Sequence, residues 1–349
     1  DGTQWRRCHI LPSSTDLAHL SPVNSDPSSM LPRRILMFGA TGTIGRATVQ
    51  ALVRHGHTVV CFVRPGSAGR LPPGVETRDG DVRDATSVAR DGFRGETFDA
   101  VVSCLASRTG EPTDAWAIDH LAHRHVLEAA RAVGVTQMVL LSAICVQKPL
   151  LAFQQAKLAF EAELMASGLT WSIVRPTAFF KSLSGQVARV QQGKPFLLFG
   201  DGTLTSCKPI SDNDLAEFIA TCVDDPARQN RVLPIGGPGD AMTPPQQGDR
   251  LFALTGKTPR FKRVPVGLLD VIIATLSAAG RFVPALRAKA ELAKIGRYYA
   301  SESMLVWDPA AQRYDADATP SFGRETLADH YVRMLAGERG DERGAHKVF

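Results

Sequence analysis

Arg34-Ile-Leu-Met-Phe38-Gly39-Ala-Thr41-Gly42-Thr43-Ile44-Gly45-Arg46 is the stretch on which the reading of this chain turns. Ile35–Phe38 is an apolar run of a length that suits a buried parallel strand, and Arg46–Arg54 has the pattern of a helix. Glycines at G-x-x-G-x-x-G spacing join the two. A strand that passes through such a turn into a helix makes an anion site. The glycines let the backbone turn sharply and approach a pyrophosphate, while the helix N-terminus offers unpaired N–H groups and a positive dipole end. Gly39, Thr41, Gly42, Thr43, Ile44 and Gly45 are therefore assigned to the phosphates of a dinucleotide. Glycine triplets also mark ordinary turns, but here the flanking strand and helix are both present.

Beyond the loop, apolar runs read as strands at His57–Arg64, Val75–Arg78, Phe98–Leu105, Met138–Ser142, Thr170–Arg175 and Val232–Ile235. Helical patterns separate them, the longest over Thr113–Val133 with Ile118, Ala122, Val126, Ala129 and Val133 as its buried stripe and Gly134 as its stop. This alternation predicts an α/β fold, a doubly wound parallel sheet of the Rossmann type, with ligand at the carboxyl ends of the strands. The second strand ends in Arg64, followed by Ser67 and Arg70, with no Asp or Glu to hold ribose hydroxyls. A basic residue there accommodates a 2′-phosphate, so NADPH is favoured over NADH. Asp81 either accepts from the adenine amino group or caps the helix Ala85–Asp91. It and Val82, with Cys104, Leu105 and Ala106 at the next strand end, complete the expected cofactor path. Pro176 and Thr177 lie where a nicotinamide would stack, and Phe179 and Phe180 then face a flat substrate or the core. Ser211 and Asp214 read as helix caps.

After Gly236-Gly-Pro-Gly239 the chain changes character. The expected organisation is a disordered or non-native leader over 1–32, with Met30 a candidate start, and a nucleotide-binding domain over 33–235. A smaller, mainly helical substrate region follows over 236–336, then a flexible tail over 337–349. Val266–Ala279 reads as a very apolar helix buried under that second region, or else in contact with a membrane surface. The longest uncharged apolar run, Val271–Gly280, is about half of the ~20 residues a helical span needs. Net charge is +5, from 40 basic and 35 acidic residues, which suits an anionic ligand. No dense Lys/Arg stripe with interleaved aromatics marks nucleic acid. The six cysteines form no C-x-x-C pair, so no metal site is expected, and their scatter fits a reducing compartment.

The chain resembles the NADPH-dependent divinyl chlorophyllide 8-vinyl reductases, an NmrA-like group of atypical short-chain dehydrogenases. The stretches that carry the resemblance are Phe38–Gly45, Leu141–Lys157, Ser172–Ser182, Lys208–Ser211, Leu233–Gly239 and Lys294–Met304. Phe153 and Lys157 share a helix face at i, i+4, where short-chain dehydrogenases carry Tyr-x-x-x-Lys. The resembling family is similar in lacking that tyrosine. The resemblance implies reduction of the C8 vinyl of 3,8-divinyl chlorophyllide or protochlorophyllide to ethyl in chlorophyll or bacteriochlorophyll synthesis. It implies Lys157 as the ribose-binding residue and Ser142 as a weaker positioning residue. Phe153, Phe179 and Phe180 would line a cleft for the tetrapyrrole, and Lys181, Lys208 or Arg297 would meet its propionate. The setting expected is the cytoplasm of a photosynthetic bacterium. The rival reading is a non-catalytic NADP-sensing regulator or assembly factor on the same fold.

Overall fold

The computed structural model describes residues 31–338. The expected leader over 1–32 and tail over 337–349 lie almost wholly outside these residues. Seven strands form one parallel sheet in the order β3-β2-β1-β4-β5-β6-β8. They are β1 (Arg34–Phe38), β2 (Thr58–Val63), β3 (Glu76–Asp79), β4 (Ala100–Ser103), β5 (Gln137–Leu141), β6 (Thr170–Pro176) and β8 (Arg231–Ile235). Because β1 pairs with both β2 and β4, the order reverses at β1, and a crevice opens there at the carboxyl ends.

The period of two in β1 divides the core between the sheet's faces. Ile35 and Met37 pack with the helices Thr43–Arg54 and Asp212–Asp224, through residues such as Leu52 and Ile219. Leu36 and Phe38 pack on the other face with Val126 and Phe160, from the helices His123–Ala132 and Ala152–Met165. The side chains of Ile35, Leu36, Met37 and Phe38 are fully buried, each contributing about 1.5–3 kcal/mol to stability.

The helix expected over Thr113–Val133 is not a uniform α-helix. An α-turn at Pro112–Ala115 passes into a π-helical stretch, Trp116–Ala122, before the α-helix His123–Ala132. The wider turns shift the phase of the face. Asp119 is buried, while Ile118, expected in the stripe, is only half-buried. The helix expected over Ala85–Asp91 likewise becomes one α-turn and a π-helical segment. Its cap is Asp84, which accepts from the Thr86 N–H at 2.9 Å, rather than Asp81.

A second core joins Phe180, Val187, Phe196 and Leu198 to Met242, Leu251, Phe252, Leu327 and Tyr331. It draws on both sides of the boundary expected at 235/236. The parallel pair β7 (Phe196–Phe199) and β9 (Phe261–Val264) belongs to this half, as does the antiparallel pair β10 (Val306–Asp308) and β11 (Arg313–Asp315). Cys207 and Ile210 make only isolated bridges. The helices Val266–Ala279 and Pro284–Tyr299 pack on one another as a hairpin. The first of these is not buried under the second region. Leu269 is its one buried residue, and Val271 is 62% exposed.

Candidate active site

The glycine loop occupies the crevice between β1 and β4. Gly39 has φ +77°, and a Cβ on it would lie 2.5 Å from the Cys104 carbonyl carbon. A Cβ on Gly45 would lie 2.1 Å from the Gly39 carbonyl oxygen. Side chains are therefore excluded at both positions, leaving a cradle open to a ligand. Gly42 is the N-cap of the helix Thr43–Arg54 without a capping side chain, and the first turn carries no acid. The Gly42 N–H donates to the Gly39 carbonyl at 3.1 Å, while the N–H groups of the first helical turn after it are the ones a helix start leaves for a phosphate. Thr41, Thr43 and Ile44 are half-buried along the same rim.

At the end of β2, Arg64 is exposed, and its carbonyl accepts from the Ser67 N–H at 3.0 Å. The Asp81 carboxylate is held by Arg83 at 2.7 Å, and Arg83 and Arg64 both keep it below the usual carboxylate range. Two guanidinium groups therefore stand at the carboxyl end of β2 and β3. The Val82 carbonyl meets Nδ1 of His125 at 3.2 Å, and Cys104 donates its N–H to the Phe38 carbonyl at 2.9 Å. Leu105 is half-buried and Ala106 exposed beside them. Burial pushes the Cys104 thiol up to about 12, so it supplies no thiolate.

Lys157 lies at the inner corner of the crevice, 8% exposed, with its ammonium 3.0 Å from Asp119. Asp119 also accepts from the Ser107 N–H at 3.2 Å, and its second carboxylate oxygen is buried without a partner. Nearby, His123 donates from Nδ1 to the Ile118 carbonyl at 2.9 Å, leaving Nε2 to accept from the Ser103 hydroxyl at 3.0 Å. Burial, then the charge of Lys157, holds that imidazole down at about 4, so it is neutral. Asp119 and His123 escape a reading of the sequence because the π-helical stretch, not a 3.6-residue period, aims them inward.

Ser142 lines the same corner, but its hydroxyl donates to Glu161, which is fully buried and paired with Arg175. The structure thus commits Ser142 to a strand–helix tie rather than to the cleft. The Thr177 hydroxyl is likewise committed to the Lys208 carbonyl, and Pro176 is buried behind it. Phe153 is half-buried one turn before Lys157, and both it and Ile295 stand over Gly110. Phe179 is half-buried against the first core. Phe180 is 1% exposed and packs on His330 with ring centroids 5.4 Å apart, so it belongs to the core and not to a substrate surface. Of the basic residues considered for a propionate, Lys208 donates to the Thr319 carbonyl at 2.8 Å and Arg297 pairs with Asp270 at 2.8 Å.

A family model described as NAD(P)H-binding matches residues 39–226. The chain is similar to the chloroplastic divinyl chlorophyllide a 8-vinyl-reductase of Oryza sativa subsp. indica, at 49% identity over 331 residues. The match covers 90% of this chain and 82% of that one. It is 47% identical to the chloroplastic protein of that description from Cucumis sativus, over 99% of this chain and 87% of the relative. Among solved structures, an Escherichia coli NADPH-dependent quinone oxidoreductase complexed with NADPH superposes with a TM-score of 0.63 at 18% identity. It covers 86% of this chain and 99% of its own, a likeness of fold alone. The relatives are chloroplast proteins, which overturns the expected bacterial cytoplasm and points to a plastid.

Proposed function

The chain belongs to the divinyl chlorophyllide a 8-vinyl-reductase family, and we propose that its cleft performs that family's reaction, with the residues around Lys157 doing the positioning. It is an NADPH-dependent oxidoreductase of chlorophyll biosynthesis that reduces the C8 vinyl group of a 3,8-divinyl chlorophyllide or protochlorophyllide to ethyl. The observation that carries this reading is an identity with such reductases that runs almost the length of the chain.

The residues present fit a dinucleotide: a side chain at Gly39 or Gly45 would fill the cradle, and the adjoining helix start keeps its N–H groups open. When bound, the reduced nicotinamide supplies a hydride. The glycine loop orients the phosphates, and Arg64 with Arg83 offers the charge that a 2′-phosphate prefers. Lys157, kept in place by Asp119, hydrogen-bonds the nicotinamide ribose and fixes the ring against the olefin. Phe153 contributes a water-excluding face, not a proton. A vinyl conjugated to a tetrapyrrole delocalises the charge left by hydride attack, so no phenol need polarise a carbonyl. The proton for the second vinyl carbon arrives from the Lys157 side of the cleft.

The pigment lies under Phe153 and Ile295, the latter from the helix Pro284–Tyr299. That helix belongs to the hairpin whose apolar exposure includes Leu268, Val271, Ile272, Phe282 and Val283, and this face is proposed to rest on an anionic membrane surface. No helix among the described residues is long and apolar enough to cross a membrane. The test of the reaction is the purified chain with NADPH and divinyl chlorophyllide. Loss of one conjugated vinyl is expected to move the Soret band to shorter wavelength. A protein that binds NADPH and leaves the spectrum unchanged would be a sensor or assembly factor instead.

A further inference from the structure

Lys181 follows β6 in the short helical turn Phe180–Leu183, yet its ammonium crosses the crevice and donates to the Thr43 hydroxyl at 2.9 Å. Thr43 is the first residue of the helix that follows the glycine loop. The lysine is half-buried and forms no ion pair among the described residues. An ammonium at the positive end of a helix, beside N–H groups that lack acceptors, is a repulsive arrangement. A solvated lysine would swing away from it. The conflict is resolved when a doubly charged anion lies between, accepting from the helix N–H groups on one side and from the ammonium on the other. Both Thr43 and Lys181 fall within the stretch matched as NAD(P)H-binding. The two other basic side chains considered for the propionate already have partners, so the structure separates Lys181 from them and turns it toward the loop.

We propose that Lys181 is a second arm of the phosphate cradle, closing on the cofactor's pyrophosphate from the β6 side; this rests on the NADPH reading above and deepens it. Its neighbour Phe180 is anchored in the second core, so the arm ties occupancy of the nucleotide crevice to that core.

The test measures equilibrium binding to the full chain, with NADPH followed by its own fluorescence and adenosine 2′-monophosphate as a competitor that has no pyrophosphate. In Lys181→Gln the NADPH dissociation constant is expected to rise about tenfold to a hundredfold, as for loss of a hydrogen bond to a charged group. Adenosine 2′-monophosphate should compete as in the wild type. Lys181→Arg should recover most of the NADPH affinity. Arg64→Gln, by contrast, should weaken both NADPH and the monophosphate. Unchanged NADPH binding in Lys181→Gln would overturn the proposal, as would equal weakening of both ligands. A raised KM for pigment with NADPH binding intact would return Lys181 to the propionate and overturn it too. Wild-type protein that fails to bind NADPH would instead remove the cofactor reading itself.

Discussion

The crevice at the carboxyl ends of β1 and β4 and the hairpin of Val266–Ala279 with Pro284–Tyr299 obey opposite rules. In the crevice, backbone touches backbone: Gly45 is closed against the Gly39 carbonyl, and buried polar groups are tied to one another. On the hairpin, apolar side chains stand in water, with Phe282 88% exposed. Residues 261–299 hold seven Lys and Arg against one Asp and one Glu, an excess equal to the whole chain's +5. The first region is a site whose protein parts are complete. The second is an exposed face that is both apolar and basic, which is what the proposed contact with an anionic lipid surface requires.

The most severe way to break the first region is to fill it. Gly45→Val places side-chain carbon within 2.1 Å of the Gly39 carbonyl oxygen, and the loop must open to make room. NADPH binding is expected to fall more than a hundredfold, beyond the effect of losing one charged hydrogen bond. A fluorescence titration with near-wild-type affinity would show that the cradle is less tightly specified than its geometry implies. Next comes the corner behind it. Asp119→Ala leaves the Lys157 ammonium without its carboxylate in a nearly water-free place, and breaking such a pair costs about 3–5 kcal/mol. Denaturant unfolding should register that loss, and Asp119→Asn should lose less.

The hairpin should answer differently. Val271→Glu removes apolar surface that touches little of the protein, so stability should stay within about 0.5 kcal/mol of wild type. Co-sedimentation with vesicles containing anionic lipid should fall several-fold, and more so at low salt, where the introduced carboxylate is repelled most strongly by the surface. If Val271→Glu instead destabilises the fold and leaves vesicle binding untouched, the helix is core and the contrast between the two regions dissolves.

How far these regions are legible in the sequence follows from what determines them. Gly39 and Gly45 are readable because a steric rule acts within a few residues. The sheet is readable because its strands are short apolar runs between helices. Asp119 is not, since a π-helical stretch moved it from the expected polar face to the buried one, and the chain carries no local mark of that shift. Ser142 and Thr177 had the right residue type at the right strand ends, but their partners, Glu161 and the Lys208 carbonyl, come from distant positions. Phe180 and the helix Val266–Ala279 fail in opposite directions. An aromatic expected at a ligand surface is core, and an apolar helix expected in the core is exposed, because apolarity alone does not name the surface that will cover it.

The smallest effect is at the far end of the sheet, and it asks whether sensitivity to pH belongs to the site or to the scaffold. His57 accepts the Arg33 N–H on Nδ1 at 3.3 Å and therefore donates from Nε2 to Asp224 at 3.0 Å. His55 stands between Asp224 and Glu217, with Nε2 3.3 Å from the latter. The Asp224 carboxylate, 3.9 Å from Nδ1, raises the His55 pKa against the opposing effect of burial, and Glu217 adds to the rise. Burial works to raise Asp224, but the nearby His55 and the hydrogen bond from His57 prevail and hold it well below the usual carboxylate range. A histidine raised on folding stabilises below its unfolded value of about 6.5, and that contribution is lost as pH climbs through the raised value. Unfolding free energy should therefore decline between about pH 6 and 8, by under ~1 kcal/mol once solvent screening of a partly exposed ring is allowed for. His55→Gln should flatten that slope in urea titrations and leave NADPH affinity unchanged at every pH, since no part of the Asp224 cluster reaches the glycine loop. A slope that survives His55→Gln would place the pH response outside the Asp224 cluster and remove the scaffold account.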